Sequence, residues 1–163
     1  VDEIEVLIAQ GVARKEPTRL LCHGLGSCIA LMLHDPGPKA GGLAHILLPD
    51  RDHSTSKSNP LKFADSATLW LIDELIELGA SRSGLKAKIA GGAMLFKGIK
   101  DAVGRENIIR TKETLAREGV RLVGEDVGGT RGRTVIFETH TGIARVRSVK
   151  ATGLKFDWEE RVL

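Results

Sequence analysis

The feature that most constrains this chain is the shortness of its apolar runs. Thr18 to His23, Cys28 to His34 and Gly41 to Leu48 are each too short for a typical helix. Each ends at a turn signal: Gly24-Leu25-Gly26, Asp35-Pro36-Gly37-Pro38 and Pro49. Short apolar runs between Gly and Pro clusters read as strands. Glu3 to Ala9, with Ile4, Val6 and Ile8 on one face, reads the same way, as do Leu85 to Ala90, Val120 to Val127 and Arg133 to His140. Thr141-Gly142 then turns the chain into Ile143 to Val149, which predicts a hairpin.

Two segments follow a different period. From Lys62 to Leu78, the residues Phe63, Ala67, Trp70, Leu71, Leu75 and Leu78 recur at three- and four-residue steps, and Gly79 follows. This is an amphipathic helix with a glycine stop. A second helix is expected from Arg105 to Glu118, with Ile108 and Leu115 inward and Gly119 as its end. Residues 50–60 are polar and turn-prone, which predicts a surface loop, and the tail 150–163 has no clear pattern. About eight strands and two main helices, with early strands adjacent in sequence, specify an α+β fold and not a strictly alternating parallel one.

Composition narrows the functional classes. A chain of 163 residues, 42% hydrophobic and 28% charged, fits one domain over residues 1–163 with one core, and excludes disorder as the main state. No apolar run approaches the roughly 18 residues of a membrane span, so no membrane insertion is expected. The acidic start Val1-Asp2-Glu3 lacks the basic region of a signal peptide, so a cytoplasmic location is expected. Two cysteines cannot build a disulfide framework, and a reduced pair fits that location. The net charge of +3 is uneven: residues 1–81 carry 7 Lys+Arg against 11 Asp+Glu, and the remainder 17 against 10. Arg131, Arg133, Arg145 and Arg147 are the candidates for a nucleic-acid face. With aromatics at 4% and no Tyr, a base-stacking platform is poorly supplied, and a solvated basic face with no nucleic-acid partner is the expectation.

The chemistry-bearing residues are few. Gly24-Leu25-Gly26-Ser27-Cys28 lacks the third glycine of a dinucleotide fingerprint, and no Gly-Lys-Ser/Thr phosphate loop occurs. Cys22, His23, Cys28, His34 and His45 show no metal-ligand spacing, so no metal is expected. Cys28 and His45 form the more useful pair. A cysteine nucleophile needs a proton acceptor, and an imidazole on the next strand supplies one. The Gly26-Ser27 turn before Cys28 can aim backbone N–H groups at an oxyanion. On the residues alone, the favoured reading is that Cys28 is a small buried hydrophobe and His45 a satisfied core histidine.

A resemblance bears on that choice. Leu25-Gly26-Ser27-Cys28-Ile29-Ala30 and Gly42-Leu43-Ala44-His45-Ile46-Leu47-Leu48-Pro49 resemble the signature of the chemoreceptor glutamine deamidases, CheD. The similarity continues through Lys62-Phe63-Ala64-Asp65, Ala87-Lys88-Ile89-Ala90-Gly91-Gly92-Ala93 and Glu125-Asp126-Val127-Gly128-Gly129. It implies a layered α/β/β sandwich similar to the catalytic domain of cytotoxic necrotising factor toxins. It implies conversion of selected glutamines in methyl-accepting chemotaxis receptors to glutamate, with receptor methyl-ester hydrolysis as a further activity and no cofactor. A CheC-type response-regulator phosphatase is the second implied partner, and a regulatory module acting on it is the alternative function. By position, Cys28 is the nucleophile and His45 the base, with Ser27 and Gly26 in the oxyanion turn. The family's third triad member is a threonine six positions before the cysteine, where this chain has Cys22. A thiol is a weak acceptor, so the backbone carbonyl of Cys22 is expected to orient His45.

Overall fold

The computed structural model describes residues 1–54, 59–95, 102–152 and 154–163. The strands are β1 (Asp2–Glu5), β2 (Gly11–Arg14), β3 (Thr18–Leu25), β4 (Ile29–Asp35), β5 (Ala40–Ile46), β6 (Lys86–Gly91), β7 (Arg121–Val127), β8 (Arg133–Glu138), β9 (Ala144–Thr152) and β10 (Lys155–Val162). Two helices, α1 (Ala64–Glu77) and α2 (Ala102–Arg117), interrupt them, with short 3-10 turns at Arg51–His53 and Pro60–Lys62. The fold is α+β and layered, as the sequence predicts. Part of the expected loop at residues 50–60 lies outside the described residues.

One five-stranded sheet runs β1-β3-β8-β9-β10 and the other β2-β5-β4-β6-β7. Both helices lie on the second sheet, α1 against β5, β2 and β4, and α2 against β7, β4 and β6. Apolar side chains on the helix side of this sheet, among them Ile29, Leu31, Leu33, Ile46 and Ile89, pack with Ala67, Leu71, Ile72 and Leu75 of α1. The opposite faces of β4 and β5 supply Ala30, Met32 and Leu43 to a second cluster, shared with Leu20 and Cys22 of β3 and Val135 and Phe137 of β8. Side chains alternate across a strand, so β4 and β5 serve both cores and read as unbroken apolar runs. The order is therefore helices, second sheet, first sheet.

Ten strands occur among the described residues, against about eight expected. β2 has only four residues, too few for a period to show, and is defined by its pairing with β5. β10 forms in the tail, where every residue of the strand is exposed and no inward pattern exists to be read. It pairs antiparallel with β9 over Lys155↔Thr152 to Val162↔Arg145. The expected strand from Glu3 to Ala9 stops at Glu5. Val6 is buried, but Leu7 and Ile8 are exposed, and Ala9 takes a left-handed backbone at φ 60°. The chain turns there because β1 pairs with β3 in one sheet and β2 with β5 in the other.

Candidate active site

The crossing between the two sheets prepares the surroundings of His45. Its backbone N–H donates to the Gln10 carbonyl at 2.9 Å, and its carbonyl accepts from the Ala9 N–H at 2.9 Å. The imidazole Nδ1 lies 3.0 Å from the carbonyl oxygen of Val6. A carbonyl only accepts, so Nδ1 carries the ring proton and Nε2 presents its lone pair. Nε2 is buried and has no hydrogen-bond partner among the described residues. Burial, partly offset by the Val6 bond, lowers the His45 pKa below the ordinary imidazole value, so the ring is neutral at pH 7.

Cys28 sits just before β4. The β4–β5 register pairs Ala30 with His45, so both side chains leave the sheet on one face. Cys28 precedes Ala30 by two residues and joins the same inter-sheet cluster as Ala30, Met32 and Leu43. Cys28 therefore lies on the inter-sheet side of β4, the side that carries His45 on β5. Cys28 is 6% exposed and Cys22 fully buried. Burial raises the Cys28 thiol pKa, with its own backbone N–H acting in the opposite direction. The shifts of cysteine and histidine both favour neutral forms, so the resting pair is thiol plus imidazole.

The turn before Cys28 is held through its carbonyls. The Gly26 carbonyl accepts from the Ala93 N–H and the Cys28 carbonyl from the Gly92 N–H, both at 2.8 Å. The Ser27 carbonyl accepts from Asn107 Nδ2 at 2.9 Å. Gly91 makes this approach possible: at φ 111°, an added Cβ would lie 2.1 Å from the Cys28 carbonyl oxygen. The glycine block at 91–92 is therefore a support for the cysteine turn.

Cys22 does not hold His45 as expected. The acceptor is the Val6 carbonyl, and the Cys22 thiol donates to that same oxygen at 3.5 Å. Burial is the main reason that the Cys22 pKa is raised, with Cys28 and Glu5 adding to it. The two cysteines are free thiols, and His23 lies exposed on β3. Asn107, unlike Cys28 and His45, was invisible to pattern: the buried stripe of α2 contains Asn107, Thr111 and Thr114, polar residues that periodicity assigns to the outside.

The four arginines considered for nucleic acid all carry carboxylate partners. Arg131 pairs with Glu159 at 2.7 Å, Arg133 with Asp126 at 3.1 Å, and Arg145 and Arg147 with Glu160 at 3.6 and 2.6 Å. Three of these pairs draw on β10, so the unpatterned tail supplies the carboxylates for three of the four arginines. Among the described residues, no group of three His, Cys, Asp or Glu side chains has a metal-binding arrangement. No helix among them is long and apolar enough to cross a membrane.

Comparison with known proteins adds an independent line. The profile of a family described as "CheD chemotactic sensory transduction" matches residues 47–148. A protein of Desulforamulus reducens named "Probable chemoreceptor glutamine deamidase CheD" is 42% identical over 151 residues, covering 90% of this chain and 91% of its own. A protein of the same name from Clostridium novyi is 43% identical over 152 residues, covering 91% and 94%. A third, from Clostridium botulinum, is 42% identical over 153 residues with the same coverage.

Proposed function

Because the chain belongs to the CheD family, we propose that it deamidates glutamine side chains of chemoreceptors, with Cys28 as nucleophile and His45 as general base. The residue assignment rests on the β4–β5 register, which pairs Ala30 with His45, on Cys28 packing in the same cluster as Ala30, and on the imidazole Nε2 having no partner among the described residues. Val6 takes the orienting role through its carbonyl, and Cys22 supports that carbonyl from behind.

The chemistry follows from the neutral pair. As Cys28 Sγ attacks the carboxamide carbon, its proton passes to His45 Nε2. The imidazolium that forms keeps its Nδ1–H on Val6. The Ser27 and Cys28 N–H groups receive the oxyanion. Collapse of the tetrahedral intermediate breaks the C–N bond, His45 returns the proton to nitrogen, and ammonia leaves an acyl thioester on Cys28. His45 then takes a proton from water, the resulting hydroxide attacks the thioester, and glutamate departs with the thiol restored. The balance is one amide and one water to one acid and one ammonia. A glutamyl methyl ester follows the same course with methanol as leaving group.

Intact-mass measurement of a receptor cytoplasmic domain after incubation with the protein tests this reading. The expected gain is that of an acid replacing an amide at each modified glutamine, absent with Cys28→Ala. No gain with the native sequence would overturn it and favour the alternative, a module that binds a CheC-type phosphatase without catalysis. Two free thiols fit the reducing cytoplasm, where we place this activity.

A further inference from the structure

The residue that ties the two halves of this site together is on neither strand. Asn107 of α2 is fully buried. Its Nδ2 donates to the Ser27 carbonyl at 2.9 Å and to the Leu47 carbonyl at 3.0 Å. Both partners are acceptors, so the amide orientation is set by chemistry. Oδ1 has no partner among the described residues, so the polar contribution of the side chain is these two donated bonds. α2 reaches this position because Gly104 lets it lie against the cysteine-supporting segment: a Cβ there would sit 2.7 Å from the Ala93 carbonyl oxygen and 2.9 Å from that of Gly92.

One carbonyl belongs to the residue before Cys28, the other to the residue two beyond His45. The Ser27 carbonyl and the Cys28 N–H share one trans peptide unit and point in opposite directions. Fixing the carbonyl toward α2 therefore fixes the N–H away from it. The Ala93 bond to the Gly26 carbonyl does the same for the Ser27 N–H. No backbone carbonyl among the described residues accepts from either N–H.

We propose that Asn107 is a positioning residue. It aims the Cys28 N–H at the developing oxyanion, with the Leu47 carbonyl as its second anchor. It does not touch substrate. The proposal rests on the roles given to Cys28 and His45 above.

Two variants test it. Asn107→Leu removes the donor at similar volume, and Asn107→Asp keeps the shape while facing two carbonyls with acceptors. With circular dichroism unchanged, kcat for receptor deamidation should fall about 10²-fold or more, the scale for losing an oxyanion donor, with KM within about threefold. Alkylation of Cys28 by iodoacetamide should stay within about threefold, because that displacement builds no oxyanion. A folded variant whose kcat stays within about threefold of the native value overturns the proposal. So does an equal loss of alkylation and turnover, which would mean general collapse of the site. Unfolding of both variants would assign Asn107 to stability and also overturn it. If the native protein gives no turnover, or Cys28→Ala keeps it, the functional reading itself fails, a result distinct from any of these.

Discussion

The β4–β5 ladder and the β9–β10 hairpin share antiparallel pairing but have opposite surroundings. All seven residues of β5 are buried, as are six of the seven in β4, with an apolar cluster on each side. Every residue of β10 is exposed, and its order comes from the ladder and the pairs of Glu159 and Glu160 with Arg131, Arg145 and Arg147. A slip of one residue in β5 would swing His45 from the inter-sheet face into the helix-side core, exchanging it with apolar neighbours. A slip in β10 would exchange one exposed residue for another. Register is thus strongly specified at the proposed site and weakly specified where charge is balanced.

Substitutions can break that contrast. The largest effect expected is from Cys28→Ala, which should lower deamidation by at least about 10⁴-fold with the fold intact. In the native protein, iodoacetamide should label Cys28 before Cys22, since Cys28 is partly accessible and Cys22 is not. Labelling in the reverse order would exchange the roles of the two cysteines.

His45→Ala should cost about 10²- to 10⁴-fold, the usual contribution of a general base. Burial lowers the His45 pKa, so the base stays neutral further into acid than a free imidazole does. The acid limb of kcat/KM should therefore fall below the ordinary value of about 6.5, and the raised Cys28 pKa moves any alkaline limb upward. An acid limb at or above pH 7 would point to another base, with the exposed His23 the first to examine.

Gly91→Ala probes the backbone of the buried ladder. Its Cβ would meet the Cys28 carbonyl in a conformation that side chains rarely adopt, and a loss of about 3 kcal/mol or more is expected by urea unfolding. A loss under about 1 kcal/mol would show that β4 and β6 part more easily than their packing implies.

Cys22→Ala should remove one of the two donors to the Val6 carbonyl and leave the His45 bond, so turnover should stay within about threefold. A loss matching that of Cys28→Ala would give the Cys22 thiol a chemical role. In the hairpin, Trp158→Thr should change stability by less than about 0.5 kcal/mol and leave turnover unchanged, because Trp158 is 71% exposed. A larger change would place the hairpin in the same cooperative unit as the site.

The same contrast explains what could be read in advance. β3, β4 and β5 are legible because alternate burial leaves an apolar signature, and Cys28 and His45 stand out as reactive types within it. β10 left no signature because pairing, not burial, orders it. The Val6 carbonyl was missed for a different reason: every residue has one, so residue type says nothing of which carbonyl meets His45. Placing that role at Cys22 put the orienting group on the strand beside the cysteine turn. The structure puts it on the crossing between sheets.

The sequence by itself determined that this chain builds α+β layers, where most of its elements lie, which family it resembles, and which side chains are candidates for acyl transfer. These are properties of local pattern and residue type, set by periodicity and turn chemistry. Tertiary structure decided the register that brings Cys28 and His45 to one face, the carbonyl that fixes the imidazole tautomer, and the use of Asn107 to join two strand ends. Those depend on hydrogen bonds between residues as far apart as Ser27 and Asn107, whose partners are backbone groups common to all residues. Only the packed sheets and α2 bring such groups together and exclude the water that would otherwise compete for them.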